Sequence, residues 1–161
     1  MALSLFDLHA DTAWAMYQTL QPLENNSLAV SLRKARKFDR YIQTMALWTS
    51  PNLENEEGYQ HLECMLENLK NDPALLNGKA ELLHSCPSRK SQTPSLILSL
   101  EDARILNGHI ERVAQLADWG IKSIIPLWSG ETCIGGSHNT TVGLTEFGKQ
   151  ATKEMLKRGI I

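Results

Sequence analysis

The chain has 161 residues, the size of a single domain, and its 42% hydrophobic and 21% charged residues are ordinary proportions for a globular protein with a sizeable core. A formal net charge of -2 leaves no electrostatic footprint for nucleic acid or an anionic membrane, and no apolar run approaches membrane-span length. The first residues carry no basic n-region and are interrupted by Asp7, His9 and Asp11, so they do not read as a signal peptide. Cys64, Cys86 and Cys133 lack metal-like spacing and read as reduced thiols of a cytoplasmic protein.

The first element is a strand, the apolar run Leu3-Ser4-Leu5-Phe6-Asp7-Leu8 ending in His9-Ala10-Asp11. Tyr41 to Trp48 reads as the next strand. A helix over about 55–70 follows, with Tyr59, Leu62, Leu66 and Leu69 on its inner face. Pro73, Asn77-Gly78, Pro87 and Pro94 mark an irregular connection, with a short element around Ala80–His84. Leu96 to Leu100 is a strand leading directly into Glu101. The spacing of Ile110, Val113, Ala114 and Ala117 predicts a helix over about 108–118, capped by Asn107 and stopped by Gly120. Ile121 to Leu127 is rich in β-branched residues and reads as a buried strand. Thr145 caps a last helix carrying Leu144, Phe147, Ala151 and Met155, with Lys157 and Arg158 at its negative end and Gly159 as its stop. Ile160 and Ile161 then read as the entry to another strand. Strands alternating with helices argue a parallel sheet, either open and doubly wound or closed as a barrel.

Three polar groups stand at or just past the ends of these strands: His9 with Asp11, Glu101, and Trp128-Ser129-Gly130-Glu131. In parallel α/β barrels that end carries the active site. Residues i and i+2 of an extended strand share a face, and an imidazole nitrogen beside a carboxylate oxygen suits a divalent ion such as zinc. A histidine hydrogen-bonded to its neighbours is the bland reading of the same spacing. Glu101 follows five mostly apolar residues, a poor place for a solvated charge. It either bridges metal ions or is spent on a salt bridge to Arg104 or on a helix N-terminus. His61, His84 and His109 have no partner at ligand spacing and read as surface or packing residues. Gly135-Gly136-Ser137-His138-Asn139 opens no helix and so is no phosphate cradle. It reads as a flexible loop in which His138 could contact substrate. Cys133 has no nearby base to make it a nucleophile.

Phe6-Asp7-Leu8-His9-Ala10-Asp11-Thr12, Leu98-Ser99-Leu100-Glu101 and Gly143-Leu144-Thr145-Glu146-Phe147-Gly148 occur in this order at strand ends. Taken together they resemble the membrane (renal) dipeptidase family of zinc-dependent peptidases in its bacterial form. The resemblance runs from Phe6 to Ile161. It implies the N-terminal part of a (β/α)8 TIM-type barrel, with about four parallel strands and outer helices, in which residues 1–161 form one domain and the C-terminal half is absent. By motif match His9 and Asp11 bind the first of two zinc ions, and Glu101 bridges both and is the catalytic carboxylate. The family's remaining ligands, two later histidines, have no counterpart in this chain. The implied reaction is hydrolysis of a dipeptide's amide bond by a metal-bridging water or hydroxide. One departure stands out. Where many members carry a transition-state histidine after the fourth strand, this chain has Trp128, read either as a substrate-binding residue or as an aromatic packed at the barrel mouth.

These implications set the expectations. The protein is a metal-dependent dipeptidase acting on small peptides, with no nucleic-acid or membrane partner, and the chain alone is inactive. It pairs with a second copy or with the missing half. The competing readings are another amidohydrolase-like metal-dependent hydrolase and a truncated chain with no activity of its own.

Overall fold

A computed structural model describes residues 3–53, 55–85 and 91–161. The elements run β1 (Ser4–Ala10), α1 (Thr12–Thr19), α2 (Leu32–Ala35), β2 (Arg40–Trp48), α3 (Asn55–Lys70), α4 (Pro73–Leu76), β3 (Glu81–Leu82) and β4 (Ser95–Glu101). A 3-10 turn (Ala103–Leu106), α5 (Arg112–Asp118), β5 (Ile121–Ile125) and α6 (Glu146–Lys157) complete the order. The five strands form one sheet in the order β1-β2-β4-β3, with β5 also paired to β4. β1 lies parallel to β2 with Leu5 opposite Tyr41, and β3 lies parallel to β4 with Leu82 opposite Leu96. This is the expected α/β architecture, with one strand more than expected because the connection before β4 contributes the two-residue β3.

The chain divides into two compact units, residues 1–47 with 63–98, and residues 48–62 with 99–161. In the first, β2 supplies the buried centre with Met45, Ala46 and Leu47, and Met16, Leu23, Met65, Leu69 and Leu96 are buried in the same unit. Tyr41 and Gln43 of β2 are also buried, and their polar atoms are bonded within the strand. Tyr41 Oη donates to Gln43 Oε1 at 2.5 Å, and Gln43 Nε2 donates to the Thr44 carbonyl at 3.0 Å. Burial of the Tyr41 phenol, reinforced by the Asp7 charge, raises its pKa to about 12, so it remains a donor. Asp72 ties the segment before α2 in place: its carboxylate caps α4 at the Ala74 amide and also accepts from the Leu23 amide, each at 2.8 Å. β1 differs from its neighbour. Leu5 and Asp7 are half-buried, whereas Phe6 and Leu8 on the alternate face are 53% and 71% exposed.

In the second unit Ile105, Leu106, Val113, Leu116, Ile121, Ile134 and Ala151 are buried. Its best-anchored polar group is Arg112, buried with its guanidinium 4.2 Å from the centre of the Tyr59 ring. Arg112 Nη1 donates to the Ile105 carbonyl, and Nη2 donates to both carboxylate oxygens of Glu56, all at 2.6 Å. The helix expected over about 108–118 is shorter than its periodicity suggested. It begins at Arg112, because Asn107 adopts a left-handed conformation (φ 46°) that closes the 3-10 turn instead of opening a helix. Gly120 and Gly159 follow the last two helices at φ 94° and 70°, as C′ glycines do. Thr145 caps α6 as expected, accepting from the Gly148 amide. Ile161 then donates to the Lys122 carbonyl at 3.0 Å and accepts from the Ile124 amide at 2.8 Å, so backbone pairing continues beyond α6 alongside β5. Cys86 and Pro87 lie outside the described residues.

Candidate metal centre

β1 ends at Ala10, and a register irregularity between Asp7 and Ala10 interrupts its pairing with β2. Asp11 therefore lies one residue past the strand, at φ -77° and ψ 20°, in the N-cap position of α1. The two functional groups still meet: His9 Nε2 lies 3.3 Å from Asp11 Oδ1. The reason is not the strand alternation the sequence suggested but the turn from strand into helix. Aspartate at an N-cap normally accepts from an amide of the first turn, yet the Asp11 side chain makes no such bond. The imidazole and carboxylate are 41% and 60% exposed, so both side chains reach solvent. They stand on the wall of a cavity of about 560 Å³ that Leu5, Trp14, Lys34 and Tyr41 also line. An imidazole nitrogen and a carboxylate oxygen at this separation match the nitrogen and oxygen donors zinc takes.

Glu101 belongs to the second unit and is the last residue of β4, half-buried after Leu98, Ser99 and Leu100. The chain turns sharply after it. Asp102 has φ 77° and ψ 107°, is 1% exposed, and caps the 3-10 turn through the Arg104 amide. The sequence left Arg104 as one partner for Glu101; the structure gives its guanidinium to Asp102 instead, with Nε and Nη2 each 2.7 Å from Oδ2. Arg104 Nη2 also donates to the Ser129 carbonyl at 2.7 Å.

Trp128 follows β5 and is 42% exposed. Its ring meets Trp48, the last residue of β2, edge to face with centroids 5.8 Å apart. The indole N–H is a donor without a titratable proton, so this position cannot pass a proton as an imidazole there would. The segment after it carries its own hydrogen bonds. Glu131 bridges Gly136, Gly135 bridges Leu144, and Asn139 Oδ1 accepts from the Gly130 amide at 3.0 Å and the Ser137 hydroxyl at 2.6 Å. A Cβ at Gly136 would lie 2.0 Å from Thr140 Oγ1 and 2.7 Å from the Val142 carbonyl oxygen, so only glycine fits that approach.

The remaining histidines take no part in these groups. His138 is exposed, His84 is exposed, and His109 Nδ1 pairs with Glu111 Oε1 at 3.0 Å on the surface. His61, half-buried on α3, has its pKa pushed down by burial. Cys133 is a free thiol with Sγ 3.7 Å from the Arg104 carbonyl oxygen, and Cys64 is free and exposed. Sequence reasoning missed Trp48 and Asp102 as companions of the candidate residues. The available signal was that each stands at the same place as a candidate, just where a strand ends.

No protein-family model matches the sequence, and no curated protein matches it. Solved structures do. The dipeptidase AC, a metallopeptidase of family M19, aligns with 100% of this chain and 56% of its own, at a TM-score of 0.84 and 19% identity. A metallopeptidase from Rhodobacter sphaeroides, determined with a phosphinate mimic of the dipeptide L-Ala-D-Ala, aligns with 100% of this chain and 58% of its own, at a TM-score of 0.84 and 18% identity. The probable dipeptidase PvdM from Pseudomonas aeruginosa aligns with 100% of this chain and 46% of its own, at a TM-score of 0.76 and 14% identity. The chain thus spans about half the length of these neighbours. At such identities the likeness is one of fold, and the fold is α/β, a parallel sheet with helices matching part of a TIM-type barrel.

Proposed function

We propose that this chain contributes the first metal-binding side of a metal-dependent hydrolase that cleaves the amide bond of dipeptides. The observation that carries the reading is the His9–Asp11 pair, 3.3 Å apart at the end of β1, with Asp11 released from its usual capping bond. Glu101, the last residue of β4, is the third ligand in this reading. Zinc is the ion this nitrogen and oxygen donor set suits, and when bound it supplies polarisation of the scissile carbonyl and acidification of a water. The fold of the neighbouring dipeptidases supports the choice of substrate class.

The chain's own residues have separable tasks in this reading. His9 and Asp11 present one nitrogen and one oxygen donor. Glu101 adds a carboxylate held at the end of a buried strand, and it is the catalytic residue of the proposal. Trp128, propped edge-on by Trp48, offers an apolar surface against which a substrate side chain packs and from which water is excluded. Two-ion peptide hydrolysis needs a second complete ligand set, so turnover by the 161-residue chain itself is expected to be small.

Binding of a phosphinate dipeptide mimic tests the reading without requiring turnover. Calorimetry with zinc present should show binding that a chelator abolishes and that Glu101→Gln weakens by about tenfold or more. Binding that is indifferent to zinc, or no binding at all, would contradict the proposal.

A further inference from the structure

The segment joining Glu101 to the Trp128 turn is more constrained than a connection requires. Asp102 holds φ 77° and ψ 107°, a conformation that L side chains rarely adopt and that persists only where surrounding bonds enforce it. Those bonds can be named. Asp102 Oδ1 accepts from the Arg104 amide at 3.0 Å, Oδ2 accepts from Arg104 Nε at 2.7 Å, and Arg104 Nη2 reaches the Ser129 carbonyl at 2.7 Å. The backbone is fixed as well, since the Asp102 amide donates to the Ile125 carbonyl at 3.0 Å and the Ala103 amide to the Pro126 carbonyl at 3.2 Å. The carboxylate is almost fully buried and the guanidinium side chain is 16% exposed. A turn alone would be made more cheaply by glycine, which tolerates the conformation and buries no charge.

We propose that Asp102 and Arg104 are positioning residues, a buried clamp that fixes the direction of Glu101 on one side and the Trp128–Ser129 turn on the other. The inference rests on the metal reading given above and adds to it the part that sets the ligand's geometry. Rigid supports of this kind decide how well a carboxylate holds its ion, because a ligand that must be ordered on binding loses affinity. Arginine is the required cation here. Its planar fork makes bonds to Asp102 and to the Ser129 carbonyl at once, whereas a lysine ammonium carries no fixed directions.

Cobalt(II) titration of the chain, followed by visible absorption, tests the clamp by ligand geometry rather than by turnover. Arg104→Met is expected to weaken cobalt binding by about tenfold or more and to change the band shape, with Arg104→Lys restoring only part of the loss. Asp102→Asn, which keeps the acceptor for the Arg104 amide but loses the charge, gives a milder variant should Arg104→Met not fold. It is expected to shift affinity in the same direction by a smaller factor. Glu101→Gln separates the two claims. If it lowers cobalt affinity while folded Arg104 and Asp102 variants bind with unchanged affinity and spectrum, the positioning role is overturned and the metal reading stands. If Glu101→Gln itself leaves binding unchanged, the metal reading is overturned, and the clamp's role falls with it.

Discussion

Two side chains show how local chemistry departs from residue statistics. Asp11 occupies an N-cap yet leaves the helix uncapped, which is the arrangement expected of a carboxylate reserved for another partner. Gly148 shows the opposite, a residue whose identity is fixed wholly by packing. A Cβ there would sit 2.0 Å from the Ile134 carbonyl oxygen, a backbone atom that already accepts from the Thr145 amide and hydroxyl. Gly148→Ala should therefore cost about 3 kcal/mol, as overpacking does, and lower the Tm by roughly 10 °C. Gly143→Ala is the control, since nothing lies within 4 Å of its added carbon, and it should stay within about 0.5 kcal/mol of the parent. Thermal unfolding of both variants decides, and equal Tm values would refute the packing argument.

Among the elements, the first turn of α3 and the helix α5 are joined by the Glu56–Arg112–Tyr59 group. The Arg112 hydrogen bond and charge hold the Glu56 carboxyl below its ordinary value of 4.5. A carboxyl with a lowered folded-state pKa binds its proton more weakly when folded, so its stabilisation is complete above the unfolded value and disappears as pH falls through the folded one. Because Glu56 is 59% exposed, screening keeps the effect small. Glu56→Gln should be less stable than the parent at neutral pH, and the two should converge in acid well below the glutamate range. Urea unfolding across pH measures this, and a gap that persists in acid would show that charge is not its source. How far such elements are legible in the sequence depends on what fixes them. α6 could be read from Thr145 to Gly159 because cap, apolar face and stop residue are all local. The start of α5 could not, because Asn107 looks like an N-cap and serves as the end of a 3-10 turn, a choice made by packing of Ile105 and Leu106. α1 and α2 escaped notice for a related reason: eight and four residues long, they are too short for periodicity to speak.

For the molecule as a whole, the alternation of strand and helix was enough to indicate an α/β fold, and the order of three motifs was enough to suggest part of a barrel. The proposed site was read from residue type at a strand terminus, as for His9, Asp11 and Glu101. It was not legible where it depends on chain reversal: the Trp48–Trp128 contact joins residues 80 positions apart, and the clamp of Asp102 and Arg104 depends on a backbone conformation no propensity favours. The central claim of the proposal is that His9 and Asp11 bind a zinc ion, and X-ray absorption at the zinc edge on the zinc-loaded chain tests it most directly. A first shell of nitrogen and oxygen at about 2.0–2.2 Å, with the scattering signature of one imidazole that disappears in His9→Ala, is the expected result. A shell without imidazole, or one containing sulfur at about 2.3 Å, would contradict the account by showing that any bound metal sits on other ligands.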